Sequence, residues 1–468
     1  MLSDTTFRTA SRMLAGALRL DRGSCSHPEI GTLFERFGKS ALPRMKREIA
    51  RAYGVAAALV STNGTTLANH VAIMSACGVG ERVLVCRDAH CSVLTGLIHA
   101  EAVPTYFSAP FDETLGISLG PTREAVEGAL NSTPDVSCLI VTSPNYAGVV
   151  GELREIVQLA HARGLRVIVD AAHGPHFHFC GKMPVAAEDV GADLVTLSVH
   201  KVAATLSQAS LLLVNNPKMI DSLYENQELF ASTSPSSAII ASLELGVRQL
   251  VERGHELWCR TIERAETYRQ AVRCIPGIRC FGRENIGIPG FRDMDPTRVT
   301  VDVSDTGLSG FEFAGRLRAK GVYVEMATPR HILAVLTPAN TDQDIACLLA
   351  AIGAIAPTGM PTLKPMPIRP PAIPRMVLTP RQAKFARKRT LPISEAVGEI
   401  SGETIACYPP GSVIIAAGEL VTEDVVAYLR CMREYGASLK GTSDQDFKTM
   451  RTVSEVSSEF GMIQGNRP

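Results

Sequence analysis

Four short stretches of this sequence carry residue types that could do chemistry, and each follows an apolar run. In LVTLSVHKVAATLSQASLLLV a buried-strand pattern ends at Ser198 and Lys201 follows in a polar turn. A lysine at the C-terminal edge of an open α/β sheet stands where ligands bind, and its amine forms a Schiff base with a carbonyl group once it is partly neutral. The competing reading is a solvated loop lysine, the common fate of charged side chains. In LRVIVDAAHGPHFHF an apolar strand closes on Asp170, with His173, His176 and His178 beyond it. A carboxylate at the end of a buried strand is costly to leave unpaired. A protonated pyridine nitrogen would pair with it, and the acid would keep that ring an electron sink. The alternative is a turn or N-cap aspartate. The i, i+3, i+5 spacing of the histidines matches no strong metal template, so no metal is expected.

The third stretch, STNGTTLAN, sets Gly64, Thr65 and Thr66 between a strand and a helix start, where backbone N–H groups and the helix dipole favour a phosphate. Asn-Gly and Thr-Thr are also ordinary turn and cap residues. The fourth, CRDAHCSV, puts His90 just after a strand, placed to stack on a flat ring or merely to cap a helix. Each signal is weak alone. Their order is not: phosphate loop, stacking His, ring-nitrogen Asp and Schiff-base Lys at successive strand ends are the layout of a fold-type I pyridoxal 5′-phosphate (PLP) enzyme.

The elements that must position these residues are legible from periodicity. Short β-branched runs predict strands at 56–60, 82–86, 136–141, 165–169, 194–197 and 210–214. Amphipathic stretches predict helices at 65–77, 92–100, 123–130 and 153–163, the last closed by Gly164. Alternation of the two predicts a mostly parallel sheet wrapped by helices. A helical region at 236–274 leads to a smaller α/β unit with strands at 299–303 and 322–325. Eight prolines between Pro357 and Pro380 forbid helix there. The expected division is an N-terminal helical segment at 1–50, a PLP-binding large domain at 51–290, a small α/β domain at 291–360, a Pro-rich linker at 361–385 and a C-terminal α+β domain at 386–468.

Composition sets outer bounds. A chain of 468 residues is large enough for two or three domains, and 47 Lys+Arg cancel 47 Asp+Glu. Without a basic block, nucleic-acid binding has no electrostatic source. No apolar run reaches the ~18 residues of a membrane span. Twelve scattered cysteines without a Cys-x-x-Cys pair or a Cys/His cluster of zinc spacing read as reduced core thiols in a cytoplasmic protein.

The segments STNGTTLAN, RDAHCSV, TSPNYAGVVGEL, VDAAHGPHF, LSVHKVAATLSQAS and STSPSSAIIASLE resemble the PLP-binding major domain of the ornithine/lysine/arginine decarboxylases. The stretch from PRQAKFARKRT to VTEDVVAYL, followed by SLKGTSDQDFKTMRTV, is similar to that family's C-terminal domain. The resemblance spans about residues 55 to 455 and matches the shorter members, which lack an N-terminal wing. It implies that Lys201 carries the cofactor as a Schiff base, Asp170 holds the pyridine nitrogen and His90 stacks on the ring. Thr65, Thr66, Ser198 and His200 would contact the phosphate, and Ala172 and His173 would lie close to the ring. It also implies a homodimer or larger assembly with the active site at the subunit interface. The expected activity is decarboxylation of a basic amino acid, with Glu325 as candidate for the substrate's distal cation. This sequence departs from the family at Ala171, where a glutamate is usual, at Asn145, Cys91 and Ser237, and in lacking the His-x-Pro-Gly-His-Lys motif near Ser26-His27-Pro28. Those departures leave room for another PLP reaction (aldolase, lyase, oxidative or transaminating) or for a non-catalytic regulatory homologue.

Overall fold

The computed structural model describes residues 42–356, 369–408 and 411–455. Most of the expected N-terminal segment, Ser26-His27-Pro28 and the first part of the Pro-rich linker lie outside them. Within them, residues 42–52 are helical.

The central sheet is built from β1 (Ala57–Ser61), β2 (Arg82–Cys86), β3 (Val103–Phe107), β4 (Val136–Thr142), β5 (Arg166–Asp170), β6 (Leu194–Leu197) and β7 (Ser210–Val214). Their spatial order is β1-β7-β6-β5-β4-β2-β3. Strands β6, β5, β4, β2 and β3 run parallel, and β7 runs against both of its neighbours. The strands are apolar on both faces because both faces are covered. Leu84, Leu139, Val167 and Leu213 enter one core, while Val83, Ile140, Ile168 and Leu212 enter the other. Helix α1 (Gly64–Ala76) follows β1, α2 (Cys91–Ala100) follows β2, and α3 (Leu153–Ala162) ends at Gly164, whose φ of +74° is the left-handed turn read from the sequence.

Strand β3 was not expected, because its VPTYF sequence contains Pro104. It is the sheet edge, where a missing N–H costs no ladder bond. Beyond the sheet, the 37-residue helix α4 (Ser237–Arg273) runs to a four-stranded antiparallel sheet that includes β8 (Arg298–Asp302) and β9 (His331–Val335). The strand expected at 322–325 is not one. Val322 and Val324 pack against that core from a loop, and β9 takes the place beside β8. The boundary expected at residue 290 falls between Arg279–Cys280, which pairs with β8, and Asp293–Met294, which pairs back to Val149–Val150. The C-terminal part holds β10 (Ile405–Tyr408), β11 (Ser412–Ile415) and α5 (Glu423–Glu434) over a core of its own. No helix among the described residues is long and apolar enough to cross a membrane.

Candidate active site

Parallel strands in this sheet end on one edge, so the residues that follow them converge there. Register makes this explicit: Asp170 at the end of β5 lies opposite Thr142 of β4 and Thr196 of β6. Above that edge is a cavity of about 580 Å³, lined by Thr65, Thr66, His90, Asp170, Ala172, His173, Ser198, His200 and Lys201. All of the residues expected at a cofactor site therefore meet in one place. Glu325 does not line the cavity and is exposed in the loop before β9, although its charge acts on Tyr146 and Lys201.

Asp170 is 4% exposed and held by three groups. Asn69 Nδ2 donates to Oδ2 at 2.9 Å, and Oδ1 accepts the Ala172 N–H at 3.1 Å and the Thr196 hydroxyl at 3.5 Å. Asn69 is itself fixed, accepting from Thr196 Oγ1 at 2.8 Å and donating to Ser92 Oγ at 2.9 Å. It is one of the site residues the sequence reading missed, and its signal was a lone amide among the apolar residues of α1.

The environment of Lys201 follows from one donor-only group. Arg298 Nη2 lies 2.6 Å from His173 Nδ1, and a guanidinium cannot accept, so Nδ1 accepts. A neutral His173 then carries its proton on Nε2, which faces Lys201 Nζ at 3.1 Å. That contact is a hydrogen bond only if the lysine offers a lone pair. Burial first, then the charges of Lys201 and Arg298, hold His173 well below the usual imidazole range. Burial likewise lowers Lys201, with Arg298 adding to it and Asp170 opposing. The result is an amine biased toward its nucleophilic form. Tyr146 packs its ring on His173 at 4.6 Å between centroids, and Arg298 is steadied by the Tyr146 carbonyl at 3.1 Å and by Asp295.

His90 is the N-cap of α2, where Nδ1 accepts the Ser92 N–H at 3.2 Å, and it also faces the cavity. Capping and stacking are thus compatible roles. Asn63, the N-cap of α1, makes no side-chain cap bond, and Thr65 Oγ1 and Ser198 Oγ are in direct hydrogen-bond contact beside that helix start. His200 donates Nδ1–H to the Ala209 carbonyl at 2.9 Å, which leaves only Nε2 for the cavity. An uncapped helix N-terminus with hydroxyls, a fixed carboxylate, an imidazole and a neutral-biased amine around one cavity fit the phosphate, ring nitrogen, ring face and aldehyde of PLP. A second carboxylate, Asp88, also lines the cavity, and burial pushes it up to about 6.

The opposite wall comes from the C-terminal part: Ser412 and Ile414 of β11 and Tyr428 and Met432 of α5. Arg87, just after β2, pins this part by a two-pronged pair with the fully buried Glu419, both contacts at 2.7 Å, and by a bond to the Ile414 carbonyl at 2.9 Å.

The architecture is that of fold-type I PLP enzymes. The chain superposes on the constitutive lysine decarboxylase of Escherichia coli with a TM-score of 0.73, 19% identity and coverage of 96% of this chain and 82% of that one. A serine palmitoyltransferase from S. paucimobilis with bound PLP gives 0.54, at 18% identity, over 76% of this chain and 84% of that one. More particularly, the chain belongs to the Orn/Lys/Arg decarboxylase family, whose major-domain description matches residues 17–344 and whose C-terminal-domain description matches 368–447. An arginine decarboxylase of Halalkalibacterium halodurans is 33% identical over 414 residues, which is 87% of this chain and 84% of the relative.

Proposed function

We propose that this chain is a PLP-dependent decarboxylase of a basic amino acid, arginine first among the three, with Lys201 as the cofactor lysine. What carries the reading is the neutral-biased Lys201 amine, held by His173 and Arg298, in one cavity with the hydrogen-bonded Asp170. The choice of arginine rests on the relative's name and on the chain's departure from the lysine decarboxylases in identity.

Bound there, the cofactor would supply an electron sink for the pair left on Cα as carbon dioxide departs. The chain's own residues do the rest. Asp170, kept in place by Asn69, Thr196 and Ala172, would pair with the ring nitrogen and keep its proton there. Thr65, Thr66, Ser198 and the α1 N-terminus would hold the phosphate, and His200 would join them only when Nε2 is protonated. His90 would stack on the ring. Lys201 Nζ would hold the cofactor's aldehyde carbon and, when free of it, would be the amine placed to deliver a proton to Cα, with His173 Nε2–H as the hydrogen-bond partner of its neutral form. Ile414, Tyr428 and Met432 close the wall against water, which favours proton delivery by Lys201 over exchange with solvent.

A homodimer with the cavity at the subunit interface and a cytoplasmic location belong to the same proposal. The eleven cysteines among the described residues, all free, support a reducing compartment. The test is the purified protein offered arginine, lysine and ornithine, with carbon dioxide and amine product measured. Carbon dioxide and the matching amine from arginine are expected. A protein that takes up PLP, with a visible absorption band lost in Lys201→Ala, yet releases no carbon dioxide from any of the three would overturn the substrate reading.

A further inference from the structure

A thiol and an imidazole one turn apart on α4 meet a second thiol from a distant part of the sequence, away from the cavity. Cys180 Sγ lies 3.8 Å from Cys259 Sγ, Cys259 Sγ lies 3.8 Å from His255 Nε2, and all three atoms fall within 4.8 Å of one another. We infer that Cys180, His255 and Cys259 form a binding site for one thiophilic tetrahedral cation, Zn²⁺ foremost, with a water in the fourth position.

The two edges that meet at Cys259 are close to those of a tetrahedral face. Zinc–sulfur bonds of about 2.3 Å and a zinc–nitrogen bond of about 2.0 Å at tetrahedral angles require ligand atoms about 3.8 Å apart for two sulfurs and about 3.5 Å for sulfur and nitrogen. The local structure explains how the three meet. His255 and Cys259 are i and i+4 on α4 and so share one face. Cys180 follows the single turn Phe177–Phe179, and this turn presses against α4 at Gly254, where a Cβ would come within 2.8 Å of the Phe179 Cβ. Burial is graded from Cys180, which is 2% exposed, through Cys259 to the exposed His255, which gives an ion a way in. Binding replaces the thiol protons, so two thiolates balance the ion's charge and up to two protons are released to solvent.

None of the three residues lines the cavity or enters the reaction described above, so the site stands apart from the decarboxylase reading. Its physical consequence is a staple between α4 and the turn that continues the His173–His176 loop. Occupancy should therefore raise the unfolding midpoint in proportion to the logarithm of free metal.

The experiment uses the full-length reduced protein, stripped with a chelator and titrated with Co²⁺, then Zn²⁺. One Co²⁺ per chain with tetrahedral ligand-field and thiolate charge-transfer bands, displaced by Zn²⁺, is expected. Cys259→Ser and His255→Ala, both outside the buried core, should each weaken binding by about 100-fold or more, while Cys91→Ser and Cys274→Ser leave it unchanged. Thermal unfolding of the metal-free variants, matched to metal-free wild type, shows that they are folded. An octahedral spectrum, no bound Co²⁺, or undiminished binding in Cys259→Ser and His255→Ala would overturn the site and leave a hydrogen-bonded thiol cluster. Binding lost in Cys91→Ser would do the same.

Discussion

Asp170 on the cavity floor and Glu419 in the C-terminal wall are both buried carboxylates, and they are stabilised in opposite ways. Asp170 takes hydrogen bonds from neutral groups and keeps its charge unspent for a ligand. Glu419 is matched by Arg87 on both oxygens and accepts the Ala416 N–H at 2.7 Å, so nothing is left over. The floor is built by the sheet edge and the wall by a docked unit. The first arrangement presents chemistry, and the second fixes geometry. Substitutions on the floor should therefore remove activity at little cost in stability, and substitutions at the clamp should do the reverse first.

The largest effect belongs to the floor. Lys201→Ala is expected to lower kcat by about 10⁴-fold or more, the upper range for a group that both binds and moves protons. Its urea midpoint should stay near wild type, because Lys201 Nζ bonds only to His173 among the described residues. A large loss of stability in this variant would break the comparison.

The clamp comes next. Arg87→Ala strands the fully buried Glu419 and should cost about 3–5 kcal/mol in urea unfolding. Arg87→Met with Glu419→Leu should recover most of that, because it removes both charges. If the single variant unfolds no more readily than wild type, the C-terminal part is not held by this pair.

How these parts show in the sequence follows the same division. Lys201, Asp170, His90 and the Thr65–Thr66 turn were legible because strand ends in a parallel sheet converge, and an unusual residue type at a strand end is visible in one dimension. Asn69, Arg298 and Tyr146 were not. Arg298 sits on a small-sheet strand 125 residues from His173, and nothing in the sequence states that Nη2 will meet Nδ1. Tyr428 and Met432 read as core residues of an amphipathic helix, and only docking turns them toward the cavity. The Cys180–Cys259 contact, at a separation of 79, escaped a search for short zinc spacings for the same reason.

Glu188 sharpens the comparison as a buried carboxylate with neither device. It is 6% exposed, neither oxygen has a hydrogen-bond partner, and burial pushes it up to about 7 from 4.5. Its folded pKa lies above its unfolded one, so the fold favours the protonated acid. The stability it contributes is complete below about 4.5 and is lost as pH rises through about 7. Glu188→Gln removes that titration. Its stability advantage over wild type should grow across this window by on the order of 3 kcal/mol, read from urea midpoints on either side. A gap that does not change with pH would mean that Glu188 finds a partner in solution.

The smallest effect tests whether Arg298 acts on the floor through charge or through its hydrogen bond. Its charge lowers both His173 and Lys201, and its N–H fixes the His173 tautomer. Arg298→Gln keeps an N–H to offer Nδ1 and deletes the charge, whereas Arg298→Leu deletes both. With the charge gone, Lys201 regains some of its proton affinity in either variant. The pH midpoint of Lys201 acylation in the cofactor-free protein, followed by mass spectrometry, should move upward in both. Turnover should separate them. Arg298→Leu lets His173 take the tautomer whose Nε2 accepts, and an accepting Nε2 favours the ammonium form of Lys201 over the free, nucleophilic amine. A further drop in kcat of about 10-fold relative to Arg298→Gln, or about 1.4 kcal/mol, is the expected worth of the tautomer lock. Equal kcat values with a shifted midpoint would assign Arg298 to charge alone, and an unshifted midpoint in both would remove it from the chemistry of Lys201.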